Sequence, residues 1–202
     1  MAPRSSAGVR RDSWRELLER LIEGTRRRTR IGRWLLEREP WNLLFVGYPE
    51  THWAGHYFFH LLDAAHPRHD AALAREFGGA ILSVYREVDA ALGELTRARE
   101  DLAVLVFSNT GMGANYSGMH LVPQVLRRLG MSGNDGYDLD GDGASGAHQT
   151  FGFLAAGGRG TRSAGRLESA DIMDIAPTIL TLQGVAVPAH MDGRALADMI
   201  AA

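Results

Sequence analysis

The chain has 202 residues, 45% apolar and 23% charged, with a formal net charge of −2. These values fit one globular domain with a sizeable core and give no overall field toward nucleic acid or an acidic membrane. There is no cysteine, which excludes disulfides, thiolate metal sites and a thiol nucleophile. Any metal must be held by His, carboxylate or backbone oxygen.

Residues 1–12 are read as a polar, disordered tail and residues 13–202 as a single α/β domain. Arg10-Arg11 is not followed by the apolar stretch of an export signal, and the longest apolar runs are too short to span a bilayer. A cytoplasmic location is expected. Trp14, Leu17, Leu18, Leu21 and Ile22 recur at helical spacing, with Leu35 and Leu36 resuming the stripe, so Trp14 to Glu37 is expected to be an amphipathic helix stopped by Pro40. Its arginine run, Arg26 to Arg33, suits either a nucleic-acid patch or a solvated face. Glu16, Glu19, Glu23 and Glu37 on the same segment favour the solvated face.

Leu43-Leu44-Phe45-Val46 predicts a strand over 42–48 buried on both faces, the mark of a parallel sheet covered by helices. A His-rich loop is expected over 49–70. A long helix over 71–99 follows from Phe77, Ile81, Val84, Val88, Leu92 and Leu95. Leu102 to Phe107 predicts a second buried strand that opens into a loop at 108–118. A short helix is expected over 121–129, an irregular Gly- and Asp-rich loop over 130–148, and a third strand over 151–156. The last helix, 169–183, is entered through Asp171 and stopped by Gly184. This alternation predicts a mainly parallel sheet flanked by helices. Sites in such folds lie beyond the carboxyl ends of strands, which directs attention to 49–56 and 108–113.

His52 and His56 stand four residues apart in Glu50-Thr51-His52-Trp53-Ala54-Gly55-His56. That spacing aims both imidazoles the same way and suits zinc. Two loop histidines bonded to backbone or water would show the same spacing. Trp53 replaces the Glu of a zinc-protease motif, and Gly55 weakens a helix there. Ser108-Asn109-Thr110-Gly111-Met112-Gly113 follows a strand, where glycines allow a sharp turn beside a ligand. Asp138-Leu139-Asp140-Gly141-Asp142-Gly143 opens like a calcium loop, but its closing acidic position would fall on Gln149, which favours a solvated acidic turn. His60, His66, His69 and His120 are expected to face solvent or bond backbone, and His190 carries no assigned role.

The order of these segments, from Glu39 to Leu196, resembles the C-terminal half of the type I phosphodiesterase/nucleotide pyrophosphatase branch of the alkaline phosphatase superfamily. The resemblance rests on Gly55-His56, Ser108-Asn109-Thr110-Gly111-Met112, His148-Gln149-Thr150-Phe151-Gly152, Asp174-Ile175-Ala176-Pro177-Thr178 and Met191-Asp192-Gly193-Arg194. It implies a partial alkaline-phosphatase-like sandwich without the N-terminal strands. It also implies a metal-dependent phosphoric ester hydrolase with two metal ions, usually zinc, about 4 Å apart. The first metal's ligands map onto His52, His56 and His148, with His52 in place of a carboxylate. The second metal's Asp-His pair is replaced by Asn109 and Thr110, which offer neither charge nor imidazole. The resemblance supplies no catalytic residue: the family's hydroxyl nucleophile lies on the absent strands, and Thr51 and Thr110 do not occupy its place. Three readings follow. The chain is a half-protein, inactive alone and completed by an N-terminal-half chain or a homo-oligomer. Or it is a non-catalytic module for one zinc or a phosphorylated small molecule, or a weak single-zinc hydrolase. None of the three involves nucleic acid or a membrane.

Overall fold

The computed structural model describes residues 11–99, 101–116, 125, 126, 128–130, 144–162, 165–167 and 169–201. His120, the acidic run Asp138 to Gly143, most of the tail and most of the helix expected over 121–129 lie outside the described residues. The chain divides into two compact units. The first takes residues 1–28, 47–91 and 112–149; the second takes 29–46, 92–111 and 150–202.

The first unit contains the beginning of α1 (Arg11–Arg38), α2 (Glu50–Leu62), α3 (Ala71–Phe77) and most of α4 (Ala80–Arg97). Its core is Trp14, Leu21, Ala54, Phe58, Leu61, Phe77, Ala80 and Val84, the apolar stripes of these helices. Trp14 and Phe58 meet with ring centroids 5.4 Å apart. The arginine run is engaged with glutamates: Arg26 with Glu87 at 2.9 Å, Arg27 with Glu23 at 3.0 Å and Arg28 with Glu50 at 2.9 Å. The last of these anchors the start of α2, because the Glu50 carboxylate is buried whereas those of Glu87 and Glu23 are more exposed.

Two sequence expectations change here. Residues 50–62 are helical, not a loop. The apolar positions Ala54, Phe58 and Leu61 fall on one face and bury, and first-turn Glu50 favours the positive helix end. The helix expected over 71–99 is two helices, with Gly78-Gly79 between them. The first is capped by Asp70, whose carboxylate accepts from the Ala72 and Leu73 amides.

The second unit holds β1 (Ala103–Ser108) and β4 (Phe153–Gly158), paired antiparallel from Ala103 opposite Gly158 to Ser108 opposite Phe153. The pair in the first unit, β2 (Gly111–Ala114, all but Gly111 in that unit) with β3 (Gly146–Gln149), is also antiparallel. The mainly parallel sheet is therefore corrected to a mixed α/β fold with two small antiparallel sheets. A run such as Val104 to Phe107 calls for apolar cover but does not encode strand direction. The strand expected over 42–48 lies outside any ladder, with Leu43 and Phe45 exposed.

The last helix is shorter than the 169–183 expected, though its entry at Asp171 and its stop at Gly184 are as expected. Asp171 caps a 3-10 turn (Ile172–Asp174) through a capping box, α5 (Ile175–Leu182) follows, and Gly184 adopts φ 68° beyond it. No described helix is long and apolar enough to cross a membrane.

Candidate metal centre

His52 and His56 sit one turn apart on the same face of α2, and His148 stands on β3. All three belong to the first unit. Their ring centroids are 4.5 Å (His52–His56), 4.9 Å (His52–His148) and 5.1 Å (His56–His148) apart. One nitrogen from each lies within 4.8 Å of the others, the one such metal-capable cluster among the described residues.

Two glycines make this juxtaposition. A Cβ on Gly146 would lie 2.3 Å from the Gly55 carbonyl oxygen, and one on Gly55 would lie 2.8 Å from the Met112 side chain. Helix and strand therefore touch backbone to backbone at the level of the histidines. Gly55, which on propensity weakens a helix, leaves room there for the Met112 side chain of β2 and for the close approach of Gly146.

The donor set fits a metal ion. Three points mutually within 4.8 Å share a centre no more than about 2.8 Å from each, against about 2.0–2.1 Å for zinc–imidazole bonds. Small ring adjustments close that gap. His56 Nδ1 lies 2.8 Å from the Gly146 carbonyl oxygen, which can only accept. The ring is thus the Nδ1–H tautomer, and its Nε2 lone pair is left for a ligand, the usual arrangement of a metal-binding histidine. Burial, then repulsion from His56 and His148, holds the His52 imidazole below its ordinary pKa. Neutral imidazole is the form a metal requires. His148 is exposed and the other two half-buried, so the cluster opens to solvent on one side, where a further ligand could reach a metal held by the three imidazoles.

Asn109 and Thr110 belong to the second unit, directly after β1, where the Ser108 hydroxyl donates to the Thr110 carbonyl at 2.6 Å. The Thr51 hydroxyl donates to the Tyr48 carbonyl at 3.2 Å. Asp174 and Thr178 hold the fold together. The Asp174 carboxylate accepts from the Arg194 and Asp171 amides at 2.9 Å each, which keeps its pKa low. Thr178 Oγ1 accepts from the Leu196 amide at 3.0 Å and donates to the Asp174 carbonyl at 2.6 Å. The two terminal motifs thus pin one another, and Gly193 passes so close to Met173 that a Cβ would lie 2.0 Å from its carbonyl oxygen.

His66 and His69 bond backbone as expected: His66 Nε2 to the Ser145 carbonyl at 3.1 Å and His69 Nδ1 to the His60 carbonyl at 2.9 Å. His60 is instead buried against Trp14, and burial, followed by Arg68 and His66, lowers its pKa to about 4. Sequence reasoning missed Ser145 and Glu50. A serine in a Gly- and Asp-rich tract looks like any loop serine, and the acidic residue beside Pro49 was read as part of a loop.

Three imidazoles presented by a helix and an adjoining strand define an α/β protein with a metal-capable histidine centre. The chain belongs to the type I phosphodiesterase/nucleotide pyrophosphatase family, whose sequence model matches residues 4–164. That family is metal-dependent and acts on phosphoric esters. The match takes in His52, His56, His148, Asn109 and Thr110 and ends before Asp174-Ile175-Ala176-Pro177-Thr178. Comparison with curated proteins and with solved structures returned no match.

Proposed function

We propose that this chain is a single-zinc module of the phosphodiesterase family, holding one ion through His52, His56 and His148 and not catalysing two-metal phosphoester hydrolysis by itself. The observation that carries this reading is the convergence of three imidazole nitrogens within 4.8 Å, set against Asn109 and Thr110 where the second metal would need charge or imidazole. A zinc ion held by His52, His56 and His148 would supply Lewis acidity toward an oxygen of a phosphorylated small molecule. The chain's own residues orient the ligands: the Gly146 carbonyl fixes the His56 ring. Without in-line clamping of attacking and leaving oxygens, hydrolysis should be slower by orders of magnitude than in a complete two-metal site.

The test is elemental analysis of untagged protein beside His56→Ala, with bis(p-nitrophenyl) phosphate turnover measured on both. One zinc per chain, lost in the variant and with turnover near background, is the expected result. No zinc in the unaltered protein would overturn the reading, as would rapid turnover.

A specific feature also favours the half-protein reading. Among the described residues β1 pairs with β4 alone, and Leu43 and Phe45 are 52% and 68% exposed. The free edge of β1, with these exposed apolar side chains in the same unit, accepts an added strand. We propose the partner to be a chain that adds a strand beside β1. Co-purification of such a chain in 1:1 stoichiometry, with gain of phosphodiesterase activity, is the expected result. A homo-oligomer alone would refute it.

A further inference from the structure

Ser145 is fully buried, and every polar atom it owns is used. Its amide donates to the His56 carbonyl at 2.5 Å. Its hydroxyl lies 3.0 Å from both the His56 and Tyr57 carbonyls and accepts from the His60 amide at 3.2 Å. Its own carbonyl accepts from the Asn115 amide at 2.8 Å and from His66 Nε2 at 3.1 Å. The His66 tautomer follows: Nδ1 accepts from the Arg68 amide at 3.0 Å, so Nε2 carries the proton that Ser145 receives.

The next residue, Gly146, takes the His56 ring proton. The Ser145-Gly146 peptide therefore grips His56 twice, at its main-chain carbonyl and at its ring. Two residues further on the same strand stands His148. The hydroxyl meets α2 at the His56 and Tyr57 carbonyls and the His60 amide, in the helical turn that starts at His56.

We infer that Ser145 is the positioning residue of the histidine centre: it fixes the separation of α2 from β3, and thereby the ring orientation of His56 and the reach of His148, while offering no ligand atom itself. The inference rests on the single-zinc reading for its effect on affinity, but its effect on the His56 ring exists without metal. Loss of the hydroxyl removes the buried contacts that tie Ser145 to the His56 and Tyr57 carbonyls and the His60 amide of α2, and the strand is free to shift. Partners that orient metal-bound histidines typically change affinity by about 10–100-fold when removed.

Two measurements test this on the full chain with Ser145→Ala. Nitrogen–proton correlation spectra of the metal-free protein report the His56 tautomer. The unaltered protein should show the Nδ1–H form, and Ser145→Ala a mixture with Nε2–H. Zinc competition against a chelating dye should show an affinity lower by about 10–100-fold. A general loss of stability would not change the tautomer of the molecules that remain folded. Ser83→Ala, which removes an exposed helical serine bonded to Gly79, serves as the control that should change neither quantity. Should Ser145→Ala fail to fold, Ser145→Cys, close in volume and a weaker donor, is judged by the same two readouts. If the unaltered protein takes up no zinc, the single-zinc reading fails and the tautomer result alone decides this one. A folded variant with an unchanged His56 tautomer overturns the inference.

Discussion

Replacing Gly146 with alanine should damage fold and metal centre together. The new Cβ would lie 2.3 Å from the Gly55 carbonyl oxygen and 2.9 Å from its carbon. Both are backbone atoms, so no side-chain rotation relieves the overlap. Ordinary contact requires α2 and β3 to part by about 1 Å, an overpacking cost of about 1–3 kcal/mol. The same movement stretches the 2.8 Å bond from His56 Nδ1 to Gly146 beyond hydrogen-bond length, which removes about 1 kcal/mol more. A chain of this size should then lose about 5–15 °C in Tm. Zinc affinity should fall by about 10–100-fold as the His56 ring loses its orientation. Gly157→Ala is the control, because a Cβ there meets nothing within 4 Å and the backbone is ordinary. Circular dichroism melts and dye competition in metal-buffered solution give both quantities. A Gly146→Ala protein that matches Gly157→Ala in Tm and in zinc affinity would refute the argument that backbone contact between α2 and β3 builds the site.

Thr178→Val keeps the side-chain shape but removes the acceptor of the Leu196 amide. Leaving that buried donor unpaired should cost about 1–3 kcal/mol, seen as a lower urea midpoint, while zinc affinity stays unchanged. His60 has a folded pKa of about 4, below the ordinary 6.5. Its neutral form is favoured by folding, so its contribution to stability is complete above pH 6.5 and is lost as pH falls toward 4. At full extent this is about 3 kcal/mol. Urea unfolding at pH 7 and pH 4.5 should show a stability difference between the unaltered protein and His60→Gln that changes with pH; a constant difference would refute it. Asn109→Asp combined with Thr110→His should raise metal content above one ion per chain by elemental analysis. Unchanged stoichiometry would show that this pair alone cannot rebuild a second site.

The sequence by itself determined the family, the helices with clean apolar periodicity and the three histidines worth naming. Trp14 to Ile22 and the Asp171 to Gly184 segment follow local rules, an amphipathic stripe in one and a capping box with a left-handed glycine stop in the other. Such rules act over a turn or two and are readable in order along the chain. Strand direction was not readable, because Val104 to Phe107 asks only for apolar cover, and whether that cover is a parallel or an antiparallel neighbour depends on residues some 50 positions away at Leu154 to Gly157. Residues 49–62 misled for a related reason. Their polar histidines and Gly55 suggest a loop on propensity, yet burial of Ala54, Phe58 and Leu61 outweighs it. Only the tertiary structure brought His148 to within 4.8 Å of a helix some 90 residues earlier, and only it gave Ser145 and Gly146 their task. Their significance is a distance between backbones, which no residue type or spacing records.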